Sequence, residues 1–110
     1  MAIDSGAFLT APSRSILFEP AVTGGGNTLP YAIGWFSQAV QGVKIEWGYG
    51  HWIGNSSLLI RVPERGLTFV ILANSDGLSS AFRLGAGDLM SSPMAKEFLN
   101  AFVFGDAQLP

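Results

Sequence analysis

The chain has 110 residues, a net charge of −2, one histidine and no cysteine. That length suits a single domain over 1–110, and the missing cysteines exclude disulfides and thiolate metal sites. Hydrophobic residues make up 48% and charged residues 13%, against roughly 25% charged in ordinary soluble proteins. A small domain has much surface for its volume, so part of this surface is expected to be covered. The cover would be a second copy, another protein, or the remainder of a larger fold.

The first ten residues, "MAIDSGAFLT", have neither a basic n-region nor a long apolar core, so no signal peptide is expected. "AIDSG" reads like the interior of a protein, and two readings of Met1 stay open: a natural start or a point of truncation. An opening segment over 1–21 contains "TAPSRSILFEP", which fits one short helix with Thr10 as N-cap and Pro12 in its first turn. Pro20 ends it. The Gly-rich stretch 22–30, "VTGGGNTLP", has no lysine and no following helix. It is therefore a flexible surface connection and not a phosphate loop.

Antiparallel strands are expected over 31–75. "YAIGWFSQAV" is aromatic and β-branched, and Gln41-Gly42 makes a turn. In "VKIEWGY", Val43, Ile45, Trp47 and Tyr49 share one face, and Lys44 and Glu46 point the other way, as in a half-exposed strand. "PERG" between "SSLLIRV" and "LTFVILAN" is a hairpin signal. "LTFVILA" is apolar on both faces, which predicts a mid-sheet strand covered on both sides. It is too short to span a bilayer, so no membrane span is expected.

Residues 78–103 read as helices, over 78–90 and 93–103, with Ser92-Pro93 as a start signal. Met94, Phe98, Ala101 and Phe102 form the predicted buried stripe, with Lys96, Glu97 and Asn100 off it. The tail "FGDAQLP" is expected to fray. The fold class is α+β: an antiparallel meander of three to four strands with C-terminal helices packed on one face.

Six scattered basic residues (Arg14, Lys44, Arg61, Arg65, Arg83, Lys96) offer phosphates no stripe, so no nucleic acid partner is expected. One histidine among few carboxylates argues against a zinc or iron site, and no metal or cofactor is expected. Ser56 and Ser57 open a strand, with no lysine at helical spacing, so neither is a candidate nucleophile. "ANSDG" is read as a turn and not as a cation loop. The three tryptophans are assigned to core or covered interface.

"LPYAIGWF", "WGYGH" and "SSLLIRVPERGLTFVILANSDG", in that order over Leu29–Gly77, resemble the C-terminal part of the serine β-lactamase and penicillin-binding-protein superfamily. The likeness is to its class C-like branch, with the D-alanyl-D-alanine carboxypeptidases and family VIII carboxylesterases. "AIDSGAFLTAPSRSILFEPA" looks like the segment that precedes these motifs there. The resemblance implies a partial fold: the C-terminal strands of a five-stranded antiparallel sheet and the last helical region. The helical domain and first strands would be absent, which would account for the low charge.

It also implies acyl transfer to a serine, with esters, amides or β-lactams as substrates. That chemistry needs Ser-x-x-Lys, in which lysine helps deprotonate the serine. Three residues before Lys44 and Lys96 stand Gln41 and Pro93, so the motif is missing. Tyr-x-Asn is missing too, since Ile33 and His51 follow Tyr31 and Tyr49 at that spacing. No catalytic residue is therefore assigned in this chain.

"HWIG" is the sole match to the Lys- or His-x-Gly strand, which gives a substrate-binding set of His51, Trp52 and Gly54. Ile53 stands where the family has glycine, and Gly54 follows one place later. The shift is read either as a bulge that keeps the role or as loss of the motif. Without the family, His51 reads as an aromatic-flanked histidine bonded to nearby backbone.

Two functions follow as expectations. One is the C-terminal portion of a serine hydrolase, inactive alone and partnered by a complementary N-terminal segment. The other is a non-catalytic binding or assembly module that forms a homo-oligomer through an exposed sheet. A small esterase that pairs His51 with a serine across a subunit interface is a third reading.

Overall fold

The computed structural model describes residues 2–105. Of the tail expected to fray, 106–110 lie outside the described residues. Thr10 caps helix α1 (Ala11–Phe18), its hydroxyl oxygen accepting from Ser13 N at 3.3 Å, with Pro12 in the first turn. Glu19 turns extended before Pro20, as a residue preceding proline must tend to do. The Gly-rich stretch is a surface turn, closed by a Val22–Thr28 bridge and by Thr23.

Four strands follow: β1 (Phe36–Val40), β2 (Val43–Trp52), β3 (Asn55–Val62) and β4 (Leu67–Ala73). They form one antiparallel sheet in chain order. Gln41 and Gly42 both take positive φ, 49° and 80°, as the tight turn between β1 and β2 requires. Gly66 closes the "PERG" turn at φ 63°.

Alternation along β2 and β3 sorts side chains onto two faces. Val43, Ile45 and Trp47 join Leu58, Ile60 and Val62 on the core face, all buried. Leu84, Leu89, Ala95, Phe98, Leu99 and Val103 cover them from the C-terminal side. Gln38 fastens this cover: its Nε2 donates to Asp88 Oδ1 at 3.0 Å, and its Oε1 accepts from Leu89 N at 2.9 Å. The class is thus α+β, with four antiparallel strands and helices at the C-terminus.

Several local expectations need correcting. Residues 78–90 are turns with a 3-10 turn at Leu84–Ala86, and another follows at Leu89–Ser91. Gly87 sits at φ 87°, which an α-helix forbids. Helix α2 (Pro93–Leu99) runs into a π-turn over Asn100–Phe104. The buried stripe is Ala95, Phe98, Leu99 and Val103, and Met94, Ala101 and Phe102 are exposed.

The opposite sheet face also departs from the expected pattern. Glu46 is 3% exposed, not solvated, because it faces Arg61 across the β2–β3 register. Arg61 is itself buried, and ion-pairs with both Glu46 and Asp4. Its guanidinium lies 4.3 Å over the Phe18 ring and 5.6 Å from that of Trp35. "LTFVILA" is an edge strand, not a central one, and Val70 and Leu72 on its outer face are exposed.

Two outcomes are expected. A Cβ on Gly87 would meet Pro30 Cγ at 2.6 Å, so Gly87→Ala should cost about 1–3 kcal/mol in denaturant unfolding. Burial pushes the Glu46 carboxyl above its ordinary 4.5, outweighing the opposing pull of Arg61 and Lys44. The folded state then holds a proton that the unfolded state releases. Stability should fall as pH rises from about 4.5 through the folded value, and Glu46→Gln should abolish that slope in pH-resolved melts.

Candidate functional site

Strand β2 is longer than the core beneath it. Its first half, Val43–Trp47, packs; its second half runs on past the cover. Alternation therefore carries Tyr49 and His51 onto the core-side face where that face opens to solvent. An open cleft of about 800 Å³ lies there, lined by Tyr31, Phe36, Tyr49, His51 and Gly85 among others.

Its wall is aromatic and ordered by ring packing. Phe36 stacks on the fully buried Trp47 at 4.3 Å, and Tyr31 meets Phe36 edge-on at 4.8 Å. Tyr49 continues the row, 6.2 Å from Phe36 and 6.3 Å from Trp47. Gly85 is needed here, since a Cβ would stand 2.8 Å from Tyr49 Oη. The result is an apolar wall with phenol and imidazole groups at its mouth, the mix that suits a small-molecule site. The His51 side chain makes no hydrogen bond within the described residues. The backbone-bonded alternative for His51 is not what this fold adopts.

A second hollow, of about 540 Å³, lies across the end of the sheet, lined by Gly50, His51, Trp52, Ser57, Leu72 and Asn74 among others. His51 thus borders both spaces. Trp52 is 72% exposed and, by alternation, on the opposite face from His51. Gly54 belongs to the two-residue turn between Trp52 and Asn55, at φ 78°. The three expected substrate-binding residues therefore share one end of the β2–β3 hairpin, His51 and Trp52 bordering the hollow from opposite faces of the strand and Gly54 standing in the turn.

The serines have structural duties. Ser56 is buried; its Oγ donates to Ser75 O at 2.6 Å and accepts from Leu78 N at 3.2 Å. It stitches the 75–78 turn to the sheet. Ser57 faces away from His51, its hydroxyl lying over Gly50. "ANSDG" is a turn: Ser75 Oγ accepts from Gly77 N, and Asp76 O accepts from Ser79 N and Ser80 N. Lys44 pairs with Glu46 at the far end of β2, about 23 Å of strand from His51. Among the described residues, no group of three His, Cys, Asp or Glu residues is placed to hold a metal ion. No described helix is long and apolar enough to cross a membrane.

Tyr31, Tyr49 and Gly85 complete the cleft, and sequence reasoning did not assign them to it. Tyr49 was within reach, because it stands two residues from His51 on the same face. Gly85 left no local signal, since its part depends on a contact across the fold.

Exposure and hydrogen bonding separate the two neighbours on the β2–β3 ladder. His51→Ala should change stability by no more than about 0.5 kcal/mol. Ser56→Ala should cost roughly 1–3 kcal/mol, because the Leu78 N–H loses its acceptor. Equilibrium denaturation of the two variants checks both.

No protein-family model matches the chain, and neither a curated protein nor a solved structure does.

Proposed function

We propose that this chain is the C-terminal, substrate-strand side of a serine hydrolase of the β-lactamase and penicillin-binding-protein type. It would act on esters, amides or β-lactams through an acyl-serine whose serine, lysine and tyrosine come from a segment outside it. The observation that carries this reading is His51: the chain's one histidine, without a hydrogen bond among the described residues, at the open end of β2 beside an aromatic cleft. The order and spacing of the motifs from Leu29 to Gly77 supply the hydrolase type. In this reading the His51 imidazole meets a substrate carboxylate or passes a proton. The backbone through Trp52 and Gly54 offers N–H groups to the oxyanion. Alone, the chain is not an enzyme.

The test is intact-mass spectrometry after exposure to a fluorophosphonate and, separately, to a penicillin. The expected mass is unchanged in both. A stoichiometric adduct on one serine would mean that the nucleophile lies within this chain, and the reading falls. Joined to the Ser-x-x-Lys and Tyr-x-Asn portion of a class C-like hydrolase, the chain should turn over an ester, and His51→Ala should lower kcat/KM about 10²-fold. Turnover indifferent to His51 removes its role.

A second reading rests on a different observation: Val70 is 58% and Leu72 77% exposed on an edge strand. In it the chain is a non-catalytic assembly module, associating through its uncovered sheet with a second copy or a complementary segment.

A further inference from the structure

The two edges of the sheet differ. Along β1, Ser37 N donates to Pro30 O at 3.0 Å and Tyr31 bridges Phe36, so that edge is partly occupied. Along β4, the side away from β3 pairs with no strand among the described residues. Exposed edges are ordinarily blunted by charge, proline or a bulge. "LTFVILA" has no charged residue and no proline, and its register with β3 runs unbroken from Ser56–Ala73 to Val62–Leu67.

The helical layer ends at the same border. Phe69 on the core face of β4 stacks on Phe98 at 4.7 Å, and Phe98 meets Phe102 at 5.5 Å. Phe69, Met94, Phe98 and Phe102 line an apolar groove there whose sole charged residue is Glu97. Phe102 is 66% exposed. Both layers thus finish in apolar side chains along one line. An added peptide strand would satisfy the edge and leave the groove open. A partner that brings a strand and an apolar helix face together fits both, and a second copy brings them by symmetry.

We infer that two copies of this chain pair antiparallel through β4, about a two-fold axis at Val70, doubling the four-stranded sheet and setting the two C-terminal helical segments side by side. The inference rests on the assembly reading above. The register follows from full overlap of the seven residues. Val70 then faces its own copy, Phe69 faces Ile71, Thr68 faces Leu72, and Leu67 faces Ala73. No like charges meet within the strand, which is the usual obstacle to self-pairing.

The absence of cysteine makes the test direct. Residues directly opposite in an antiparallel pair have Cα atoms about 4.5–5.5 Å apart, within the roughly 4.4–6.8 Å that a disulfide spans. Val70→Cys should therefore cross-link to a covalent dimer under mild oxidation. Leu72→Cys would place its two thiols about 14 Å apart and should stay uncross-linked. The unmodified chain should have a dimer's mass by light scattering, and Val70→Lys a monomer's mass with an unchanged circular dichroism spectrum. A dimer in which Val70→Cys cross-links no faster than Leu72→Cys overturns the β4 pairing and leaves the assembly reading standing. A monomer at every concentration overturns self-association altogether and leaves the assembly reading only its complementary segment.

Discussion

The fold turns on one buried cation. Arg61 sits near the C-terminal end of β3, on the face away from the main core, with its side chain out of water. Removing a guanidinium from water is costly unless its charge is paired. The pairing comes from distant parts of the chain: Asp4 from the opening segment, Glu46 from β2, and the rings of Phe18 and Trp35. Arg14 adds a second tie, donating to the carbonyls of Ile3 and Asp4. Asp4 and Phe18 thereby tie the opening segment to the sheet. Removing one member of such a cluster typically costs about 3–5 kcal/mol, since the partner charge stays buried and uncompensated. The cluster also fixes register. A slip of one residue between β2 and β3 would turn Glu46 or Arg61 into the apolar core.

That fixed register positions the candidate site. Because Glu46 is held opposite Arg61, Tyr49 stands opposite Leu58 and His51 opposite Ser56. Alternation then carries His51 past the last core layer, beside Tyr49 and within reach of solvent. Gly48 and Gly50 leave the reverse face of this half-strand without side chains until Trp52 at its end. The strand thus has a packed half that anchors and a bare half that presents. An ionic cluster at one end and an unbonded imidazole at the other are linked by a stretch of stiff, paired backbone.

Much of this was legible because it is local. Thr10 and Pro12 announced α1, "PERG" announced a hairpin, and the period-2 pattern of 43–49 announced β2 and the face shared by its aromatics. What was not legible depends on partners far off in sequence. Lys44 and Glu46 look alike as polar residues on an outer face, yet only Glu46 finds Arg61. Residues 78–90 have helical spacing of apolar residues, but Gly87 turns to φ 87°, outside the helical region, where a Cβ would meet Pro30. The stripe through Met94, Phe98 and Phe102 held only at Phe98, because the helix turns its Ala95, Leu99 and Val103 row to the sheet instead, a choice of face that spacing alone does not make. "LTFVILA" was read as central because both its faces are apolar. Its apolar outer face instead coincides with a sheet edge, which no periodicity reveals. For His51, the sequence located the residue and its aromatic neighbours, but not that Trp52 would turn to the other face of the sheet.

The low charge of the chain has a structural counterpart. Arg61, Glu46 and Asp4 are committed to one another, Arg14 to backbone and Lys44 to Glu46. The other charged residues lie elsewhere, and β4 carries none. The hollow beside His51 and Trp52 is walled on its far side by Leu72, Ala73 and Asn74, the end of β4. A strand added to β4 would therefore raise a wall along that hollow and draw Leu72 out of solvent. The neighbourhood of His51 would become deeper and drier, which strengthens every polar interaction made within it. The end of the uncovered β4 edge and the histidine end of β2 thus border one hollow.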